Sequence, residues 1–255
     1  MTMTKPTPPK ARKNPHKMTV HRDTRIDDYF WLNKRGDAAV LDYLKAENRY
    51  TERVMKPSKK FEAALLREMK ARIKKDDASV PVWRKGHYYY VRYKTKSQYP
   101  LYCRKKGSLS AKEEILLDEN KLARGHKYFD IMNLAISPDG ATLAYTVDTQ
   151  GRRICSLFFK DLKTAKTVPS LEGITHNSVW AQDGATLFYV KQDPATLRHD
   201  KVYRLNPDRR TSVLVYEEKD EQFDVSVGKT ATEKHIVISS GSSTSDECRL
   251  IPSGQ

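Results

Sequence analysis

A pentapeptide that returns at a fixed distance constrains this chain more than any other feature. Asp139-Gly140-Ala141-Thr142-Leu143 recurs as Asp183-Gly184-Ala185-Thr186-Leu187, 44 residues later. Each copy has an apolar run ahead of it (Leu134–Ile136; Val179-Trp180) and an aromatic run behind it (Tyr145; Phe188-Tyr189). Asp and Gly close a tight turn, the Gly supplying a left-handed backbone position, so each copy reads as a hairpin. A degenerate third copy falls at Lys229–Ile238, about 49 residues further on, with His235-Ile236-Val237-Ile238 as its strand. Between the copies lie further short strands ending in polar turns: Cys155–Phe159, Val202–Leu205 and Val213–Tyr216. About four strands per period of roughly 40–50 residues is the pattern of a β-propeller blade. A β-sandwich has similar strands but no need for self-similarity.

Upstream the texture changes. His87–Tyr93 and Tyr99–Cys103 flank a polar connection and predict a hairpin rich in aromatic β-formers. Its basic aromatic stretch Tyr88–Arg104 could stack bases, but reads better as a hairpin whose Lys and Arg face water. From Asp37, a plausible N-cap, to about Met55 the spacing is helical. Pro57-Ser58 breaks that helix and starts a second, with Phe61, Leu65, Leu66, Met69 and Ile73 as its apolar stripe. Two such helices are too small for a core of their own and must pack on something. The aromatic cluster Tyr29-Phe30-Trp31-Leu32 should anchor the segment before them. Residues 1–20 hold four prolines, five basic residues and no acid, which predicts a basic flexible tail or an extended strap.

The net charge of +15 is uneven: residues 1–75 carry 20 basic and 9 acidic side chains (+11), the rest 27 and 23 (+4). A basic chain invites a nucleic-acid reading, but two thirds of this one is nearly balanced, so no nucleic-acid partner is expected. No run approaches the roughly 18–20 apolar residues of a membrane span, and residues 1–20 lack an apolar signal core, so the expected compartment is the cytoplasm. Cys103, Cys155 and Cys248 lie 52 and 93 residues apart, with no Cys-x-x-Cys pair. They suit free thiols in a reducing compartment.

A search for chemistry finds no reaction centre. Gly241-Ser242-Ser243-Thr244-Ser245 lacks the closing glycine of a nucleophile elbow. Histidines at 16, 21, 87, 126, 176, 199 and 235 have no metal-ligand spacing. The adjacent carboxylates Asp27-Asp28, Asp76-Asp77, Glu113-Glu114 and Glu217-Glu218 would point to opposite faces of a strand rather than form dyads. No catalytic, cofactor-binding or metal-ligating residue is therefore assigned, and no cofactor is expected.

Several runs nevertheless resemble one family. His21–Leu32 (HRDTRIDDYFWL) followed by Val40–Asn48 (VLDYLKAEN) is similar to the entry segment of prolyl-oligopeptidase-type serine peptidases. Tyr99–Gly107, Glu113–Asn120, Ser137–Arg153 and Phe188–Arg204 resemble the oligopeptidase B (protease II) branch. The resemblance runs in order from about residue 15 onward. It implies an N-terminal helical segment packed on an α/β-hydrolase catalytic domain, with a seven-bladed β-propeller covering the active site and admitting only short peptides. It further implies hydrolysis after Arg or Lys by a Ser-His-Asp triad. None of the triad positions maps onto this sequence. The expected fold is mainly β: a tail over 1–20, a helical segment over 21–77, and an incomplete propeller of three to four blades over 78–255, with the α/β-hydrolase domain absent. The expected partners are oligopeptide substrates and that absent domain, and the chain alone is expected to be inactive. A stand-alone propeller-like module that binds peptides or proteins is the alternative.

Overall fold

The computed structural model describes residues 6–254. It divides into two compact units, residues 1–74 and 75–255.

In the first unit, β1 (His16–Val20) and β2 (Asp23–Asp27) form an antiparallel hairpin. Its two loop residues, His21 and Arg22, have φ of 49° and 66°, the twist-matched turn usually given to Asn-Gly. Within the expected tail, residues 1–5 lie outside the described residues. The remainder departs from the flexible tail of that expectation. Trp31 donates its indole N–H to the Arg12 carbonyl at 3.0 Å beneath the Arg12 guanidinium. Lys13 pairs with Asp28, and His16 stacks on Phe30 with ring centroids 4.1 Å apart. The aromatic cluster anchors the basic segment, and strand structure begins four residues before the expected boundary at 20. The helices follow: α1 (Ala38–Met55), capped by the Asp37 carboxylate accepting from Ala39 N at 2.8 Å, and α2 (Lys59–Arg72). Pro57 sits in a single 3₁₀ turn between them, Lys56–Ser58. Ser58 caps no N–H of α2; its hydroxyl instead lies within hydrogen-bond distance of both Met55 O and the Glu62 carboxylate. The stripe on α2 is bare, with Phe61 70% and Ile73 66% exposed.

The second unit is a succession of antiparallel meanders. The first is β3 (Val82–Arg84), β4 (His87–Arg92), β5 (Leu101–Lys106) and β6 (Glu113–Asp118), in that order. A one-turn helix, α3 (Glu119–Leu122), leads to β7 (Asp130–Ile136), β8 (Thr142–Asp148), β9 (Cys155–Asp161) and β10 (Thr167–Trp180). Then come β11 (Leu187–Gln192), β12 (His199–Asn206) and β13 (Thr211–Glu217), and finally β14 (Asp224–Lys229), β15 (His235–Gly241) and β16 (Asp246–Pro252). Strands β7 to β13 are continuous only because β10 serves two sheets. Its Thr167–Ile174 part pairs with β9 and its Ile174–Trp180 part pairs with β11, Ile174 serving both, with Gly173 at φ +69° just before it. The unit is thus three four-stranded blades and a three-stranded fourth.

The repeat is legible atom by atom. In its three copies Gly140 N donates to Ser137 O, Gly184 N to Ala181 O, and Glu233 N to Thr230 O. Each turn is closed the same way, by Ser137 N to Thr142 O, Ala181 N to Thr186 O, and Thr230 N to His235 O, at 2.8, 2.8 and 3.0 Å. The left-handed position has φ of 74° at Gly140, 69° at Gly184 and 57° at Glu233. The third copy is therefore a true repeat in which a glutamate occupies the glycine position.

Alternation then explains the core. On β11, Leu187 and Tyr189 join the cluster shared with the second blade, while Phe188 and Val190 join the one shared with the fourth. On β8, Leu143, Tyr145 and Val147 face the first blade and Ala144 the third. Both faces of each central strand are buried, so their sequences read as unbroken apolar runs. The inner strands are also joined by side chains. Asn133 on β7 donates to Ser178 O and Oγ at 3.1 and 3.0 Å. Asn177 on β10, 44 residues later, donates to Val227 O at 3.0 Å and accepts from Val227 N at 2.5 Å.

Two outcomes follow. Asn177→Ala leaves the buried Val227 amide and carbonyl without partners and should lower unfolding free energy by about 1–3 kcal/mol in urea titration. Loss below the error of that measurement would remove the seam from the account. Gly184→Ala meets open space. Its cost is conformational alone, about 1 kcal/mol, readable as a fall in Tm.

Candidate functional site

Most charged side chains singled out in the sequence neutralise one another. Glu113 and Glu114 leave β6 on opposite faces. Glu113 takes a bidentate bond from Arg92 and the Tyr90 hydroxyl at 2.6 Å, and Arg92 holds its carboxyl down at about 2. Glu114 takes Arg104 through Nε at 2.7 Å and Nη2 at 3.1 Å, while Arg104 Nη1 reaches Gly140 O in the second blade. The hairpin was expected to turn its Lys and Arg to water; Arg104 is instead only 7% exposed. A buried guanidinium needs partners for its donors, and the turn of the neighbouring blade supplies one of them. Glu217 and Glu218 likewise part, to Lys201 and to the Tyr216 and Ser240 hydroxyls.

One end of the second to fourth blades gathers titratable groups that are not all paired. His176 on β10 and His199 on β12 lie with ring centroids 6.3 Å apart. Burial lowers the His199 pKa, Asp224 opposes this, and His176 adds to it. The neighbouring Asp200 is 5% exposed; one carboxylate oxygen engages Lys201, and the other has no partner, as is also true of His176 Nδ1. Loops around the cluster are fixed by backbone capture. Asp148 accepts from Gln150, Gly151 and Arg153 N–H, and Arg198 donates to the Glu218, Asp220 and Phe223 carbonyls. Residues 23 apart in sequence meet here through the β10–β11–β12 register, which histidine spacing along the chain does not reveal.

This cluster can accept hydrogen bonds and exchange a proton, but it holds no nucleophile. Among the described residues no serine, threonine or cysteine bonds a histidine ring. Burial pushes the Cys103 and Cys155 thiols up to about 11 and about 12, away from a reactive thiolate. Ser242 turns its hydroxyl to Ser245 within the β15–β16 hairpin. The other histidines sit apart: His16 on Phe30, His126 beside Phe129, His87 near Lys85 O, His235 opposite Pro252 and His21 in a turn. No group of three His, Cys, Asp or Glu that could hold a metal occurs among the described residues. No helix among them is long and apolar enough to cross a membrane.

Comparison with known proteins agrees with this architecture. The family profile described as prolyl oligopeptidase, N-terminal beta-propeller domain, matches residues 8–255. The chain is 39% identical to dipeptidyl aminopeptidase BI of Pseudoxanthomonas mexicana, over 96% of its own length and 37% of that relative's. It is 32% identical to Protease 2 of Moraxella lacunata, over 95% and 36%. Oligopeptidase B from Leishmania major superposes with a TM-score of 0.87 at 28% identity, covering 97% of this chain and 38% of that one. The Trypanosoma brucei oligopeptidase B bound covalently to antipain gives 0.83 at 30%, covering 95% and 37%. The chain thus spans little more than a third of the relatives it matches. It belongs to the prolyl oligopeptidase family, and what it carries is that family's N-terminal β-propeller domain.

Proposed function

We propose that this chain is the substrate-filtering part of a serine-type oligopeptidase that hydrolyses short peptides after Arg or Lys, in the cytoplasm. The observation that carries the reading is the superposition on two oligopeptidases B along nearly the whole chain, in which no serine, threonine or cysteine bonds a histidine ring among the described residues. Bond cleavage then belongs to an α/β-hydrolase domain outside this chain, where a serine attacks the peptide carbonyl and a histidine relays the proton. This chain contributes exclusion. Its blades are joined by half-buried side-chain bonds between their strands, which supports a rigid cover. A folded domain of 100 residues has a radius of gyration of about 13 Å, far too wide for an opening that passes an extended peptide. The bare apolar stripe of α2 is the surface that packs on the hydrolase domain, with the basic N-terminal segment beside it in sequence.

The chain alone should not cleave an Arg-containing fluorogenic peptide. Turnover stopped by a serine-directed inhibitor would overturn this reading. Joined to the hydrolase half of Moraxella Protease 2, it should support cleavage of blocked Arg peptides while leaving folded proteins intact. The name of the 39%-identical relative favours a second reading, release of N-terminal dipeptides. That reading requires a free amino terminus on the substrate, so cleavage of the blocked peptide decides between the two.

A further inference from the structure

A cavity of about 440 Å³ lies between the first and second blades, within the roughly 300–1,000 Å³ of small-ligand sites. Its walls are apolar, among them Val82, Tyr89, Leu116, Ile136 and Leu143. Two of the strands that line it, β3 and β7, are each an edge of their sheet. Strand edges present unpaired N–H and C=O groups, which an extended peptide satisfies and a lipid chain does not.

The cavity's cations come from the β3–β4 turn, Arg84 and Lys85. Both reach Glu233 in the fourth blade, Arg84 to Oε1 at 3.0 Å and Lys85 to Oε2 at 2.7 Å. Lys229 stands 3.5 Å from the same Oε2, which the Gln182 amide also engages. Three cations therefore surround one carboxylate. Glu233 is also the residue at the left-handed position that its two predecessors fill with glycine. A non-glycine there stores strain, and strain retained at one copy of a repeat points to a role for its side chain. Burial lowers the Lys229 pKa, Glu233 opposes this, and the Lys85 and Arg84 charges add to it. The one carboxylate lining the cavity, Asp139, is occupied by the Ser137 hydroxyl and Ala141 N–H.

We propose that this cavity binds the C-terminal end of a short apolar peptide, its backbone added to a free strand edge and its carboxylate held by Arg84 and Lys85 in competition with Glu233. Binding is a property of the chain itself and involves no bond cleavage, so it stands or falls apart from the peptidase reading.

Calorimetric titration of the chain with an N-acetylated apolar tripeptide tests it without any variant. The free acid should bind, and its C-terminal amide should bind about tenfold more weakly or worse. Equal affinity for acid and amide, or no binding by the acid, overturns the site. Decanoate, a carboxylate on an apolar chain with no peptide groups, should bind more weakly than the acid; matching affinity overturns the peptide assignment. Glu233→Gln should tighten the acid several-fold by freeing both cations, and Arg84→Gln with Lys85→Gln should abolish the acid–amide difference. Melting curves confirm that each variant is folded. An unchanged acid–amide ratio in the folded double variant sinks the proposal.

Discussion

A blade of this molecule has no interior of its own. Each sheet is one strand thick, and apolar residues leave both faces of its central strands, so every core is a seam between two blades. Hydrophobic burial of about 25 cal/mol per Å² accrues only when a neighbour stands on each side. That constraint accounts for the apolar runs Leu143–Val147 and Leu187–Val190, in which neither face faces solvent. It also accounts for the placing of the polar bonds. The asparagines on the inner strands, the Trp180 indole donating to Ala135 O, the Lys160 ammonium on Leu116 O and Arg104 on Gly140 O all cross from one blade to the next.

Charge follows the same logic. In the blades the guanidinium groups of Arg92, Arg104 and Arg198 are spent on carboxylates and carbonyls of neighbouring strands and loops. The excess positive charge of the sequence lies mostly in the first 75 residues.

The turns were readable because their chemistry is local. An Asp-Gly pair between apolar runs specifies a hairpin whatever surrounds it, and α1 was readable from its Asp37 cap. Blade count and family followed from repetition and ordered motifs. Three things were hidden, two of them because they depend on register between strands. The asparagine seam repeats at 44 residues as faithfully as the turn does, yet an isolated Asn carries no signal until its partner strand is placed. His176 and His199 meet only through two successive strand pairings. Glu233 was hidden for the opposite reason, since glutamate is the last residue expected where glycine belongs. The tail boundary at residue 20 was missed because Pro and Lys dominate its composition, whereas the aromatic cluster downstream decides its structure.

Strand β10 is one unbroken run of backbone that closes the second blade and opens the third. Two blades sewn together by a covalent strand move as one plate, since parting them would tear the pairing of β10 with β9 or with β11. Any widening of the propeller wall therefore has to come at the other seams. The seam between the first and second blades joins sheets whose facing edges share no strand, and it already contains the cavity. If this wall opens sideways, the crack starts here or at the seam between the third and fourth blades, whose sheets likewise share no strand.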